Sequence, residues 1–152
     1  MEEKTFVKPN DLNTIEDVLS RKEILTLNED KNTIIYAHAR LDKTMFGSLK
    51  NVIKDEWLND SSNFVVNLST EHENTLWQVF SVYRIPTTSD YLQTEFYNNE
   101  FSNFTKMLID RSIYNFNTSV NKDDRILTLS TCYNNSDKVV LHAKLIKREI
   151  RN

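Results

Sequence analysis

Short apolar runs alternate with polar, Asn-rich connections along this chain, and the spacing within the runs separates two kinds of element. A period of two, the mark of a half-buried strand, governs Arg125–Cys132, where Ile126, Thr128 and Ser130 face away from Leu127, Leu129 and Thr131. It also governs Val139–Ile150, which closes the chain as a long strand, and Leu76–Ile85, where Trp77, Val79, Ser81 and Tyr83 oppose Leu76, Gln78, Phe80, Val82 and Arg84. The β-branched and aromatic runs Thr33–Ala39 and Phe64–Ser69 predict two more strands, and Glu23–Leu27 a short one. Helical spacing predicts a helix over residues 11–21 with Asn13 or Thr14 as cap, a second over Thr44–Ile53, and a third over Glu100–Ser112 with Phe101, Phe104, Leu108 and Ile109 as its apolar stripe. About six strands with interposed helices and no βαβ repeat predict a mainly β fold, a sandwich or a closed barrel. The stretch from Pro86 to Tyr97 is irregular and long enough for a functional loop.

Composition narrows the classes. The chain has 152 residues, the size of one domain, with 39% hydrophobic and 27% charged residues. The net charge is −3, so nucleic acid is not an expected partner, since a phosphate-binding surface needs a basic excess. No apolar run approaches the roughly 20 residues of a membrane span, and acids at Glu2, Glu3, Asp11, Glu16 and Asp17 argue against a secretory signal. Only Cys132 is present, which excludes an internal disulfide and a multi-cysteine zinc site. A single glycine, Gly47, excludes Gly-rich phosphate loops. Turn chemistry falls to Asn instead, notably at positions 98–99 and 134–135.

Cys132 ends a strand just before the polar turn Tyr133-Asn134-Asn135-Ser136, where rigid backbone would hold a nucleophile at the mouth of a cleft. The alternative is a small buried hydrophobe, the commoner fate of free cysteine. A thiol nucleophile needs a base or a cation. His38 ends a strand, His72 sits among acids in a loop, and His142 lies within the last strand, where a hydrogen-bonded structural role is the expectation. Arg125, Lys138 and Lys144 are the cations nearest Cys132 in sequence, and each is alternatively a solvated charge. Alternation sets Arg125 on the opposite face from Cys132, whereas Lys138 opens the return strand directly after the turn.

Thr128-Leu129-Ser130-Thr131-Cys132 resembles the sortase active-site signature Thr-Leu-x-Thr-Cys, and Ile35-Tyr36-Ala37-His38 resembles the Tyr-Gly-His strand end of that family. Met45-Phe46-Gly47-Ser48-Leu49, Val79-Phe80-Ser81-Val82-Tyr83 and Val139-Val140-Leu141-His142-Ala143-Lys144-Leu145 are similar to further family segments in the same order. The likeness covers residues 33–147 as a sortase-like core, with 1–32 a divergent N-terminal segment of the same single domain, 1–152. The helix-bearing insert between His38 and Cys132 is most similar to class B sortases.

This resemblance implies a closed sortase β-barrel with a few peripheral helices and an abbreviated set of first strands. It implies a cysteine transpeptidase at the extracellular face of the membrane or in the cell wall of Gram-positive bacteria. Cys132 would attack the carbonyl of a Thr in a sorting-motif peptide of a surface protein and form an acyl-thioester. His38 would shuttle the proton, and an amine from a peptidoglycan precursor or a pilin would resolve the intermediate. No metal or other cofactor is implied. The resemblance places Ser130, Thr131, Thr87, Tyr91 and Leu92 along the peptide groove, although Tyr91 and Leu92 read equally well as loop packing.

Three departures stand against that pattern. Lys138 occupies the place of the family's catalytic Arg, Ala37 that of the Gly before the His, and only 37 residues precede His38. Two readings follow: an active transpeptidase, or a degenerate sortase-fold protein that binds peptide or assembles, as a homo-oligomer through an open barrel edge.

Overall fold

The computed structural model describes residues 5–7, 31–37, 49–69 and 72–150. Within them lie six strands: β1 Thr5–Val7, β2 Asn32–Ala37, β3 Val65–Ser69, β4 Glu73–Pro86, β5 Ile126–Cys132 and β6 Asp137–Ile150. They form one sheet in the order β1-β3-β4-β6-β5-β2. Among the described residues two helices accompany it, α1 Asp55–Leu58 and α2 Glu100–Arg111, with 3-10 turns at Leu49–Ile53, Ser61–Phe64 and Asp90–Leu92. No helix among the described residues is long and apolar enough to cross a membrane.

The mainly β architecture agrees with the sequence pattern, but the barrel does not close among the described residues. Among the described residues β1 and β2 end the sheet, paired to β3 and to β5 respectively. The helix expected over 11–21, the strand over 23–27 and the first half of the helix over 44–53 lie outside the described residues. The second half of that last helix is the 3-10 turn Leu49–Ile53.

Both faces of the sheet are covered. On one, Leu127, Leu129, Val139, Leu141 and Ala143 pack against Leu49, Val52, Trp57 and Leu58 from the 3-10 turn and α1. On the other, Phe80, Tyr83, Ile126 and Val140 pack against Tyr91 and against Phe101, Phe104 and Leu108 of α2. Two of the expected stripe positions of α2, Phe101 and Phe104, are 5% exposed and Leu108 is fully buried, whereas Ile109 is 38% exposed, so the stripe is one residue narrower than expected.

β4 departs from strict alternation. A register shift against β6 between Val79 and Ser81 inserts Phe80 as an extra residue. Trp77 and Val79 before it, and Val82 after it, therefore face the α1 side, while Phe80 and Tyr83 face α2. One added residue reverses the phase of a period-two strand, so the straight alternation read from Leu76–Ile85 fails at this point. Beyond Gln78, β3 no longer pairs with β4. The chain after α2 fills that edge: the backbone N–H of Val82 donates to Ser112 Oγ at 3.1 Å and its carbonyl accepts from Ile113 N at 2.9 Å. Edge backbone groups left bare would cost comparable hydrogen bonds or invite strand pairing.

Candidate active site

The nucleophile candidate stands where two strands turn. β5 and β6 pair antiparallel with Cys132 opposite Lys138. The turn between them is fixed by Asn134, whose Oδ1 accepts from the backbone N–H groups of Ser136 and Asp137, both at 2.8 Å. Such local side-chain-to-backbone bonding is the chemistry that makes Asn a turn residue. Asn98, in the loop before α2, uses its tolerance of positive φ, at 54°.

The turn is braced from both sides. Thr87 donates its backbone N–H to the Ser136 carbonyl at 2.8 Å and its hydroxyl to the same oxygen at 3.0 Å. Arg84 stacks its guanidinium 3.9 Å from the centre of the Tyr133 ring and donates from Nε to Asp137 at 2.7 Å. Planar stacking together with a directed bond is what a guanidinium does better than an ammonium.

Cys132 is half-buried. The Lys138 ammonium lies 3.3 Å from its sulfur and donates to it. A cation at that distance can attract the negative charge that develops on an oxyanion. The other two cations lie elsewhere. Lys144 pairs with Ile126 at the far end of the hairpin and donates to the Ser119 carbonyl at 2.8 Å. The Arg125 carbonyl accepts from Leu145 N at that same end.

β2 runs parallel to β5, with Ala37 opposite Thr131. Thr131 is followed by Cys132 and Ala37 by His38 in sequence. His38 lies outside the described residues, so the Cys132–His38 pairing stays an expectation.

The predicted groove residues divide by exposure. Thr87 is exposed and Leu92 half-buried. Tyr91 is 2% exposed, Ser130 4% and Thr131 1%. The Tyr91 and Ser130 hydroxyls bond each other at 2.8 Å. These three side chains are closed from solvent, so they shape the rim from beneath.

Below the rim, the same face of β5 and β6 carries a buried polar chain that strand periodicity did not reveal. Asn32 donates from Nδ2 to the carbonyls of Tyr91 at 3.3 Å and Gln93 at 2.9 Å. Its Oδ1 accepts from the Thr128 hydroxyl at 2.7 Å. Thr128 Oγ1 has one proton and spends it there, so its 2.9 Å contact with His142 Nδ1 is donated by the imidazole. That fixes the tautomer: Nδ1 carries the proton, and Nε2 accepts from Tyr83 OH at 2.8 Å.

His142 is fully buried, and this burial, reinforced by the nearby Arg111 charge, pushes its pKa down to about 3. Burial likewise raises the Tyr83 phenol well above its ordinary value. Arg111 grips Asp90 through two bonds, at 2.9 and 2.5 Å, and holds that carboxyl below the usual carboxylate range. His142 is thus a neutral structural histidine, as its place within a strand led one to expect. His72 is exposed.

The sortase-domain family profile matches residues 4–146. The chain belongs to the sortase family. Among curated sortase relatives, sortase B of Staphylococcus aureus is 33% identical over 132 residues, covering 84% of this chain and 52% of that protein. The structure of a Staphylococcus aureus sortase B–substrate complex aligns with a TM-score of 0.68 at 32% identity, over 78% of this chain and 56% of that one. Clostridium perfringens sortase B aligns with a TM-score of 0.70 at 30% identity, over 80% and 68%. The sortase chain described here is class B-like, and it spans about half the length of the curated relatives it matches.

Proposed function

We propose that this chain is a cysteine transpeptidase that cleaves a sorting-signal peptide after Thr and passes the acyl group to an amine. The observation that carries the reading is the Lys138 ammonium 3.3 Å from the Cys132 sulfur, on paired strands of a sortase B-like sheet. Cys132, as thiolate, attacks the Thr carbonyl carbon, and the carbonyl electrons move to oxygen. Lys138 faces that developing negative charge. Collapse of the tetrahedral intermediate expels the amine, which takes a proton from His38, and leaves an acyl-thioester. His38 then accepts the proton of the incoming amine as it attacks the thioester, and Cys132 is released as thiolate.

The parallel register supports His38 as the proton carrier. Ala37, the residue before His38 in sequence, pairs with Thr131, the residue before Cys132. The peptide of a surface protein is the proposed substrate, a cell-wall precursor or pilin amine the proposed acceptor, and the outer face of a Gram-positive membrane the proposed location. Thr87 and Leu92 are the groove residues proposed to meet the peptide directly.

A second reading has its own observation. Lys138 stands where the family has Arg, and an ammonium cannot offer two parallel hydrogen bonds to an oxyanion and a peptide carbonyl together. On that ground the chain is a slow enzyme or a peptide-binding relative. The deciding experiment incubates the protein with the substrate peptide of the Staphylococcus aureus sortase B complex and an amine acceptor, and follows cleavage and thioester formation by mass spectrometry. An acyl adduct on Cys132 that turns over supports the transpeptidase. An adduct that forms and persists supports the slow form. No adduct at any peptide concentration overturns both catalytic readings.

A further inference from the structure

The 87–97 loop of the described chain is short of regular structure, yet three separate elements hold it. Asn32 of β2, with no solvent exposure, gives both amide protons to the loop carbonyls of Tyr91 and Gln93 and receives the Thr128 proton from β5. Every bonding position of this side chain that the loop needs is therefore filled from a fixed direction. Arg111, at the last turn of α2, clasps Asp90 through both of its terminal nitrogens. Tyr91 reaches Ser130, two residues before Cys132. A loop needing only to join β4 to α2 would need neither the buried bonds of Asn32 and Tyr91 nor the two-point surface fork of Arg111, since connections of that kind lie on the surface and make their polar contacts with water.

We infer that Asn32 and the Asp90–Arg111 fork are positioning elements that preset the 87–97 loop as a rigid wall beside Cys132, and thereby set the affinity for the peptide. The inference rests on the transpeptidase reading for the identity of the ligand. Asn32 does not touch the reacting atoms. It acts through the loop carbonyls, six residues before His38 on the strand that pairs with the Cys132 strand. A preset wall spares the peptide the cost of ordering it, which appears in KM and leaves the chemical step alone.

Two variants of the full chain test this. Asn32→Asp keeps the side-chain volume and removes the two N–H donors. Asp90→Asn opens the fork at the surface, where the core is untouched, and carries the test alone if Asn32→Asp loses its near-ultraviolet dichroism. Three quantities are read in each: amide hydrogen exchange across residues 87–97, kcat and KM for the sortase B substrate peptide named above, and the rate of Cys132 alkylation by iodoacetamide. Expected is faster exchange in the loop by about fivefold to tenfold per lost hydrogen bond. KM is expected to rise about tenfold with kcat within about twofold, and the alkylation rate to stay within about twofold.

Unchanged loop exchange in both variants overturns the inference. So does a loosened loop with unchanged KM, or a fall in kcat matched by slower alkylation, which would mean that the nucleophile itself had moved. If the parent protein fails to process the peptide, the transpeptidase reading falls, and the exchange result alone then decides whether these residues position the loop.

Discussion

The two faces of the β5–β6 hairpin are built from different materials. Toward α1, the hairpin shows Leu127, Leu129, Val139, Leu141 and Ala143, all with no solvent exposure. Toward α2, the same strands add Thr128, Ser130, Cys132, Lys138 and His142, each held by a side-chain hydrogen bond, to the apolar Ile126 and Val140. Apolar packing is strong but indifferent to small rotations, whereas hydrogen bonds weaken steeply off line. The first face supplies cohesion, and the second sets where the thiol and its cation point. Cohesion and chemistry are thereby divided across one sheet 14 residues long at its centre.

The sharpest way to break this division is at Cys132. Cys132→Ala should remove peptide cleavage, by about 10⁴-fold or more, while shifting unfolding free energy by less than about 1 kcal/mol, because the site is half-buried at a rim. Retained cleavage would assign the activity to another residue; denaturant unfolding monitors the second half. The mirror experiment is Leu141→Ala on the apolar face. It should cost about 2–5 kcal/mol of stability. The Cys132 alkylation rate, measured well below the transition, should stay unchanged if the two faces are separable.

A third test uses acid. The folded pKa of His142, at about 3, lies below its ordinary value of 6.5. The unfolded chain therefore takes up a proton that the folded chain refuses between these values. The contribution of the neutral, hydrogen-bonded imidazole is complete above about pH 6.5 and is lost as pH falls toward 3, by up to about 1.4 kcal/mol per pH unit. His142→Asn should flatten that acid limb in urea titrations, whatever it does to stability at neutral pH. A limb as steep as the parent's would mean that other groups produce it.

The smallest expected effect is at Lys138. Lys138→Ala should lower kcat/KM about tenfold and Lys138→Arg should raise it a few-fold, since Arg supplies charge and a directed fork together. If both variants match the parent, Lys138 is a bystander beside the sulfur.

How far the sequence disclosed this arrangement depends on the distance along the chain between interacting residues. The facing of Cys132 and Lys138 was legible, because a short polar turn between two alternating strands fixes a local register. The α2 stripe was legible at Phe101, Phe104 and Leu108 for the same local reason. α1 was not, because four residues carry too little periodicity, and Trp57 and Leu58 are buried by what they pack against. The phase reversal at Phe80 was hidden because a bulge leaves no mark on composition. Tyr91 was legible only as a choice between groove and packing, and its burial and its bond to Ser130 depend on partners that no local pattern marks. Asn32 stands just before the β-branched run Thr33–Ala39, and no spacing in the sequence singles it out. Its partners on the loop and on β5 are 59 to 96 positions away, and no pattern in a single sequence spans such a gap.

That same gap has a kinetic consequence. β3 with β4 and β5 with β6 are near neighbours in sequence and can zip as hairpins on their own. β2 must find β5 across most of the chain, and a parallel pair has no tight turn to bring it there. Long loops must close before such contacts return any free energy, so this pairing belongs to the slow, late part of folding. A chain stopped short of it would already hold Cys132 beside Lys138 but lack the strand that leads to His38. Folding thus passes through a stage in which the β5–β6 hairpin has formed and β2, the most distant partner of β5, has yet to dock.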